Sequence, residues 1–131
     1  MKILGLDIGQ KRIGVAISEG KIASAYTVID GSDWEKAIFT LSGIIRAENV
    51  AQIIIGIPKN KDTFQSDKIH KFALELTKTV NLPINYVDET LTSKEAERIM
   101  KDLNCDPKSI EYKEEIDKLS AKLILEQYLN Q

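Results

Sequence analysis

The chain has 131 residues, 43% of them hydrophobic and 29% charged, with a net charge of −2; this suits a single domain, residues 1–131, able to bury one core. A pI of about 5.5 excludes a polyanion binder that works by bulk charge and leaves room for one that uses a local basic patch. No apolar run approaches bilayer-spanning length, no signal-peptide layout opens the chain, and the single cysteine, Cys105, allows no internal disulfide. A cytoplasmic protein with no membrane partner is expected.

Met1 to Ser18 reads as an apolar strand, a Gly-bearing turn and a second apolar strand. Side chains alternate along a strand, so Ile3, Gly5 and Asp7 share one face while Leu4, Leu6 and Ile8 share the other. Gly5 removes bulk beside Asp7, as close approach of a ligand or backbone requires. A buried Asp7 carboxylate needs a metal ion or several donors. From the hairpin alone, a carboxylate capping its own turn is an equal reading. Ile22 to Ile29 gives a third strand, so the first 30 residues form an antiparallel meander.

Ser32 with Glu35 predicts a capping box opening a helix through about Asn49. Trp34, Ile38, Leu41, Ile44 and Ile45 recur there at helical spacing, which makes Trp34 a core residue rather than a base-stacking platform. Ala51 to Ile57 is a nearly unbroken apolar run ended by Pro58, as in a central parallel strand. A polar loop, Pro58 to Ser66, precedes a helix over Asp67 to Val80, with His70 off its apolar stripe. Pro83 to Val87 predicts a short edge strand leading into Asp88-Glu89. Thr92 and Glu95 predict a second capping box, and the last helix begins at Ser109 or Glu114 and runs to Leu129. Strand–helix alternation forces parallel pairing through right-handed crossovers. The result is an α/β fold whose mixed five-stranded sheet joins a three-strand antiparallel meander to two parallel strands, flanked by helices.

In such sheets reactive groups gather at the carboxyl ends of the parallel strands. Asp7 and Asp88-Glu89 fall on that rim. Asp117, Ala121, Ile124 and Tyr128 form a helical stripe, which puts the Asp117 carboxylate on the face packed against the sheet. Singly, Glu89 and Asp117 are ordinary acids favoured near helix N-termini. Together with Asp7 they suit hard divalent cations, Mg²⁺ or Mn²⁺, which take oxygen ligands and serve phosphodiester displacement.

Leu4-Gly5-Leu6-Asp7-Ile8-Gly9 and Arg12-Ile13-Gly14-Val15-Ala16 resemble the opening motif of the YqgF/RuvX family. The resemblance continues through Gly56-Ile57-Pro58-Lys59-Asn60-Lys61-Asp62, Asp88-Glu89 with Leu91-Thr92, and Asp117, Ser120-Ala121, Ile124-Leu125 and Tyr128-Leu129. It covers essentially the whole chain and implies a ribonuclease H-like fold and a divalent-metal nuclease. The implied substrate is nucleic acid: pre-16S ribosomal RNA trimmed at its 5′ end, with ribosomal particles as context, or alternatively a branched DNA junction. Carried over by motif, Asp7, Glu89 and Asp117 are the catalytic, metal-binding acids.

Departures from the motif bear on binding. Thr90 stands where the family usually has Arg, removing a guanidinium suited to phosphate. Thr63 replaces a Gly after the loop Asp, and Ser120 the first of two alanines. The candidate nucleic-acid-binding groups are Lys11 and Arg12 in the first turn and Lys59, Asn60 and Lys61 in the loop. Arg12 leads because its fork matches phosphate. Lys68 and Lys71 could extend the track, but ordinary solubilising lysines are the better reading for both. A catalytically silent RNA-binding assembly factor is the rival function. An ATP-binding sugar-kinase or actin-like domain is disfavoured by length. A two-fold dimer would suit a four-way junction; monomer and homodimer both stay open.

Overall fold

The computed structural model describes residues 1–58, 63–88, 90–102 and 108–131. Its strands are β1 (Lys2–Ile8), β2 (Arg12–Glu19), β3 (Ile22–Asp30), β4 (Val50–Ile57) and β5 (Ile84–Asp88), and its helices α1 (Trp34–Glu48), α2 (Thr63–Val80), α3 (Thr90–Asp102) and α4 (Ile110–Leu129). They form a five-stranded sheet in the order β3-β2-β1-β4-β5. β2 pairs antiparallel with both β1 and β3, while β4 pairs parallel with β1 and β5. This is the expected mixed sheet. The apolar β4 lies inside it and the Pro83-led β5 at its edge.

The period of two in β1 divides the core. Leu4, Leu6 and Ile8 pack with Leu41 and Ile45 of α1 and Phe72 and Leu76 of α2. Ile3, on the opposite face, packs with Ile54, Val87 and the α4 residues Ala121, Ile124 and Leu125. Fully burying one such side chain is worth about 1.5–3 kcal/mol, so a one-residue slip of β1 would forfeit both layers. Trp34 meets Phe72 edge to face at 5.4 Å between ring centroids, a core contact as its spacing predicts.

Three helix starts differ from expectation. The cap of α1 is Asp33, whose side chain accepts from the backbone N–H groups of Glu35 and Lys36. Ser32 instead donates through its N–H and hydroxyl to Asp30 Oδ1. Asp and Ser are about equally good caps, so the Ser32–Glu35 spacing is a poor guide to register. Helix α2 begins at Thr63 rather than Asp67, its first turn held by Ser66, whose hydroxyl donates to the Pro58 carbonyl at 3.1 Å. Helix α3 begins at Thr90, which puts Thr92 inside it rather than at its cap. The last helix takes the earlier of its two expected starts: Ser109 caps α4 by accepting from Tyr112 N–H at 3.0 Å.

Candidate active site

Asp7 is the last residue but one of β1, and its cross-strand partner on β2 is Gly14. Directly opposed residues in an antiparallel pair share a face and stand about 4.5–5.5 Å apart. That face is the one α4 covers. A Cβ built on Gly14 would lie 2.0 Å from the carbonyl oxygen of Asp117, and one on Gly5 would lie 3.1 Å from that of Ala121. The helix therefore rests its backbone on two missing side chains. Gly14 admits Asp117 directly opposite the β1 position that carries Asp7.

The Asp117 carboxylate does not stand alone there. Arg12 Nε donates to its Oδ2 at 2.7 Å, with 33% of the Arg12 side chain and 21% of the Asp117 side chain exposed. Burial pushes the Asp117 carboxyl above its ordinary range, the Arg12 hydrogen bond and charge pull it back in part, and Glu114 adds to the rise. Desolvation wins because a carboxylate half withdrawn from water loses more hydration than one cation returns. Such an acid gains from a second positive charge.

Among the described residues no group of three or more His, Cys, Asp or Glu stands close enough to hold a metal ion. Asp7 and Asp117 are two of the three expected acids. Glu89 lies outside the described residues, as do Lys59, Asn60 and Lys61. Asp88 ends β5 level with Ile57, the last residue of β4, so it reaches the carboxyl-end rim. Val87 belongs to the α4-side layer, and alternation turns Asp88 to the face away from Asp7. Lys11 is exposed at the tip of the first hairpin, where its carbonyl accepts from Gly31 N–H at 2.8 Å. The hairpin turn itself is closed by Gly9 N–H donating to the Arg12 carbonyl at 2.9 Å.

Two features escaped sequence reasoning. The pairing of Arg12 with Asp117 spans 105 positions, and no local spacing encodes it. Helix α2 also starts at the rim, where Gln65 Nε2 donates to the Ile8 carbonyl at 3.4 Å. The role of Gly14 was within reach, since a glycine in a strand interior marks close backbone approach. An open groove of about 700 Å³ lined by Trp34, Ile38, Phe39, Arg46, Glu75 and Thr79 belongs to α1 and α2, on the sheet face away from Asp7.

The fold has known counterparts. T. thermophilus RuvC in complex with a Holliday junction superposes with a TM-score of 0.62 at 11% identity, over 100% of this chain and 97% of that one. The fowlpox virus resolvase in complex with Holliday junction DNA gives 0.60 at 16% identity, over 99% and 97%. At these identities the likeness speaks to fold alone, and that fold is the expected ribonuclease H-like one. Sequence relatives are nearer. Two proteins that carry the name "Putative pre-16S rRNA nuclease" match, from Syntrophus aciditrophicus at 37% identity over 99% of this chain and 89% of that protein, and from Thermoanaerobacter pseudethanolicus at 41% over 99% and 96%. A family model described as "RuvX: Holliday junction resolvase" matches residues 1–131. With that match spanning the whole chain, the protein belongs to the RuvX family.

Proposed function

We propose that this protein is a divalent-metal-dependent nuclease that hydrolyses phosphodiester bonds in the 5′-end processing of pre-16S ribosomal RNA. The observation that supports the proposal best is the close packing of the α4 backbone at Asp117 on Gly14, the cross-strand partner of Asp7. Nuclease chemistry is the shared ground of the relatives' names and of the family description; the choice of ribosomal RNA rests on those names.

The residues fit a hard cation. Asp7 and Asp117 offer carboxylate oxygens, and the raised affinity of Asp117 for a proton is that of a half-buried acid short of positive charge. Asp7, Asp117 and Glu89 would hold Mg²⁺ or Mn²⁺. A bound pair of such ions supplies an activated water and a stabilised leaving oxygen at phosphorus. The chain's own part is orientation: Arg12 fixes one Asp117 oxygen, leaving the other free of that bond. Lys11, exposed at the hairpin tip, and the loop residues Lys59, Asn60 and Lys61 would neutralise the substrate backbone. No helix among the described residues is long and apolar enough to cross a membrane.

A second reading, resolution of four-way DNA junctions, is favoured by the description of the matching family. One experiment tests both. Wild type and Asp7→Asn are incubated with labelled pre-16S RNA and with a synthetic four-way junction, with and without Mg²⁺. Metal-dependent cleavage of the RNA that vanishes in Asp7→Asn is expected. Equal cleavage by the variant overturns the metal-nuclease reading, and cleavage of the junction alone replaces the RNA reading with the DNA one.

A further inference from the structure

Phe64, the second residue of α2, is 73% exposed. An isolated exposed apolar side chain is unremarkable on a protein surface. Phe64 differs from the exposed Met1, Ile22, Phe39 and Ile110 in where it is held. The next residue, Gln65, donates to the carbonyl of Ile8, the neighbour of Asp7 in β1, and Ser66 donates to the carbonyl of Pro58, just beyond β4. The ring therefore stands on a pinned helical turn at the carboxyl ends of the two central strands.

The helix continues the feature. Residues four and seven positions on share a helix face, so Lys68 and Lys71 follow Phe64 on one stripe, about 6 and 10 Å along the axis at 1.5 Å per residue. Lys71 is exposed and Lys68 half-buried. Asp67 flanks the stripe, and the first turn of α2 carries no acid among its described positions. His70 is drawn off to the side, meeting Tyr86 of β5 at 4.8 Å between ring centroids. An aromatic face at one end and two cations behind it is the arrangement that holds a single nucleic-acid strand, base on ring and phosphates on lysines.

We propose that Phe64 is a stacking platform for an unpaired base, with Lys68 and Lys71 carrying the adjoining backbone away from the rim. The proposal rests on the nuclease reading for its substrate and adds to it a preference for substrates with unpaired nucleotides beside the cut. A stacking subsite of this kind favours single strands over duplex, because paired bases present no free face.

Binding in EDTA separates this proposal from the chemistry. Fluorescence anisotropy is measured with a labelled single-stranded RNA and with the same RNA as a perfect duplex. Phe64→Ala and Phe64→Leu are expected to weaken single-strand binding about 5- to 100-fold, the range for losing one stacked base. Phe64→Trp should restore it, and duplex binding should change no more than about twofold. Lys68→Ala and Lys71→Ala should each flatten the salt dependence by about one ion. Urea midpoints equal to wild type confirm that the surface variants stay folded. Wild-type affinity in Phe64→Ala, equal binding by Phe64→Leu and Phe64→Trp, or no single-strand binding by the wild type overturns the proposal. An Asp7→Asn protein that cleaves as well as wild type would sink the metal-nuclease reading while leaving the stacking result to stand or fall by itself.

Discussion

Gly14 lies beneath the backbone of Asp117 so closely that a methyl group on its Cα would come within 2.0 Å of the Asp117 carbonyl oxygen. The contact is between two main chains, so no side-chain rotation can relieve a substitution there. Gly14 is also the cross-strand partner of Asp7. One absent side chain thus sets how close the α4 backbone at Asp117 sits on the sheet, over the strand position paired with Asp7.

Gly14→Ala should force α4 outward, costing at least about 1–3 kcal/mol as overpacking does and lowering any affinity for divalent ions. Gly43→Ala is the control: an added methyl at that helical glycine meets nothing within 4 Å, and a gain of about 0.5–1 kcal/mol is expected from helix propensity. Urea unfolding midpoints of the two variants should move in opposite directions.

Asp117→Asn should stabilise the metal-free protein at neutral pH. The folded-state proton affinity of Asp117 is raised above the ordinary 3.8, so the native state binds that proton more tightly than the unfolded chain. Its carboxyl therefore costs stability as pH rises from the ordinary value through the raised one. Melting curves of wild type and variant should nearly coincide below that window and separate above it, with the variant higher. Mg²⁺ should raise the wild-type midpoint and leave the variant's unchanged.

Arg12→Gln removes the cation that Asp117 holds at 2.7 Å. Leaving a half-buried carboxylate without its charged donor costs about 1–2 kcal/mol, discounted because the pair is partly exposed. Added Mg²⁺ should recover part of that loss in the melting temperature, one positive charge standing in for another. A loss indifferent to divalent ions would count against Asp117 as a ligand.

Glu48, at the end of α1, accepts from Lys2 Nζ at 2.9 Å and from Tyr26 Oη at 3.1 Å. The Lys2 hydrogen bond, then that of Tyr26, holds its carboxyl below the ordinary range. Stability from this staple is present above the ordinary carboxylate value and lost as pH falls through the lowered one. Acid unfolding of Glu48→Gln should lack that component while keeping the rest of the wild-type profile.

Residue order alone determined the sheet. The apolar alternation in β1, the unbroken run in β4 and the helices between successive strands admit few pairings, because crossovers are right-handed and each strand must bury a face. The same alternation assigned Ile3, Gly5 and Asp7 to one layer, and helical spacing put Asp117 on the buried stripe of α4. Helix starts were read less well, since Ser32 and Asp33 are nearly equal as caps and only the path of the chain from Asp30 chose between them. What tertiary structure alone decided is the company each acid keeps. Arg12 and Asp117 are 105 residues apart, and their meeting depends on how far α4 descends onto Gly14. Local spacing carries no information about that distance, because it is set by packing between elements that the sequence keeps far apart.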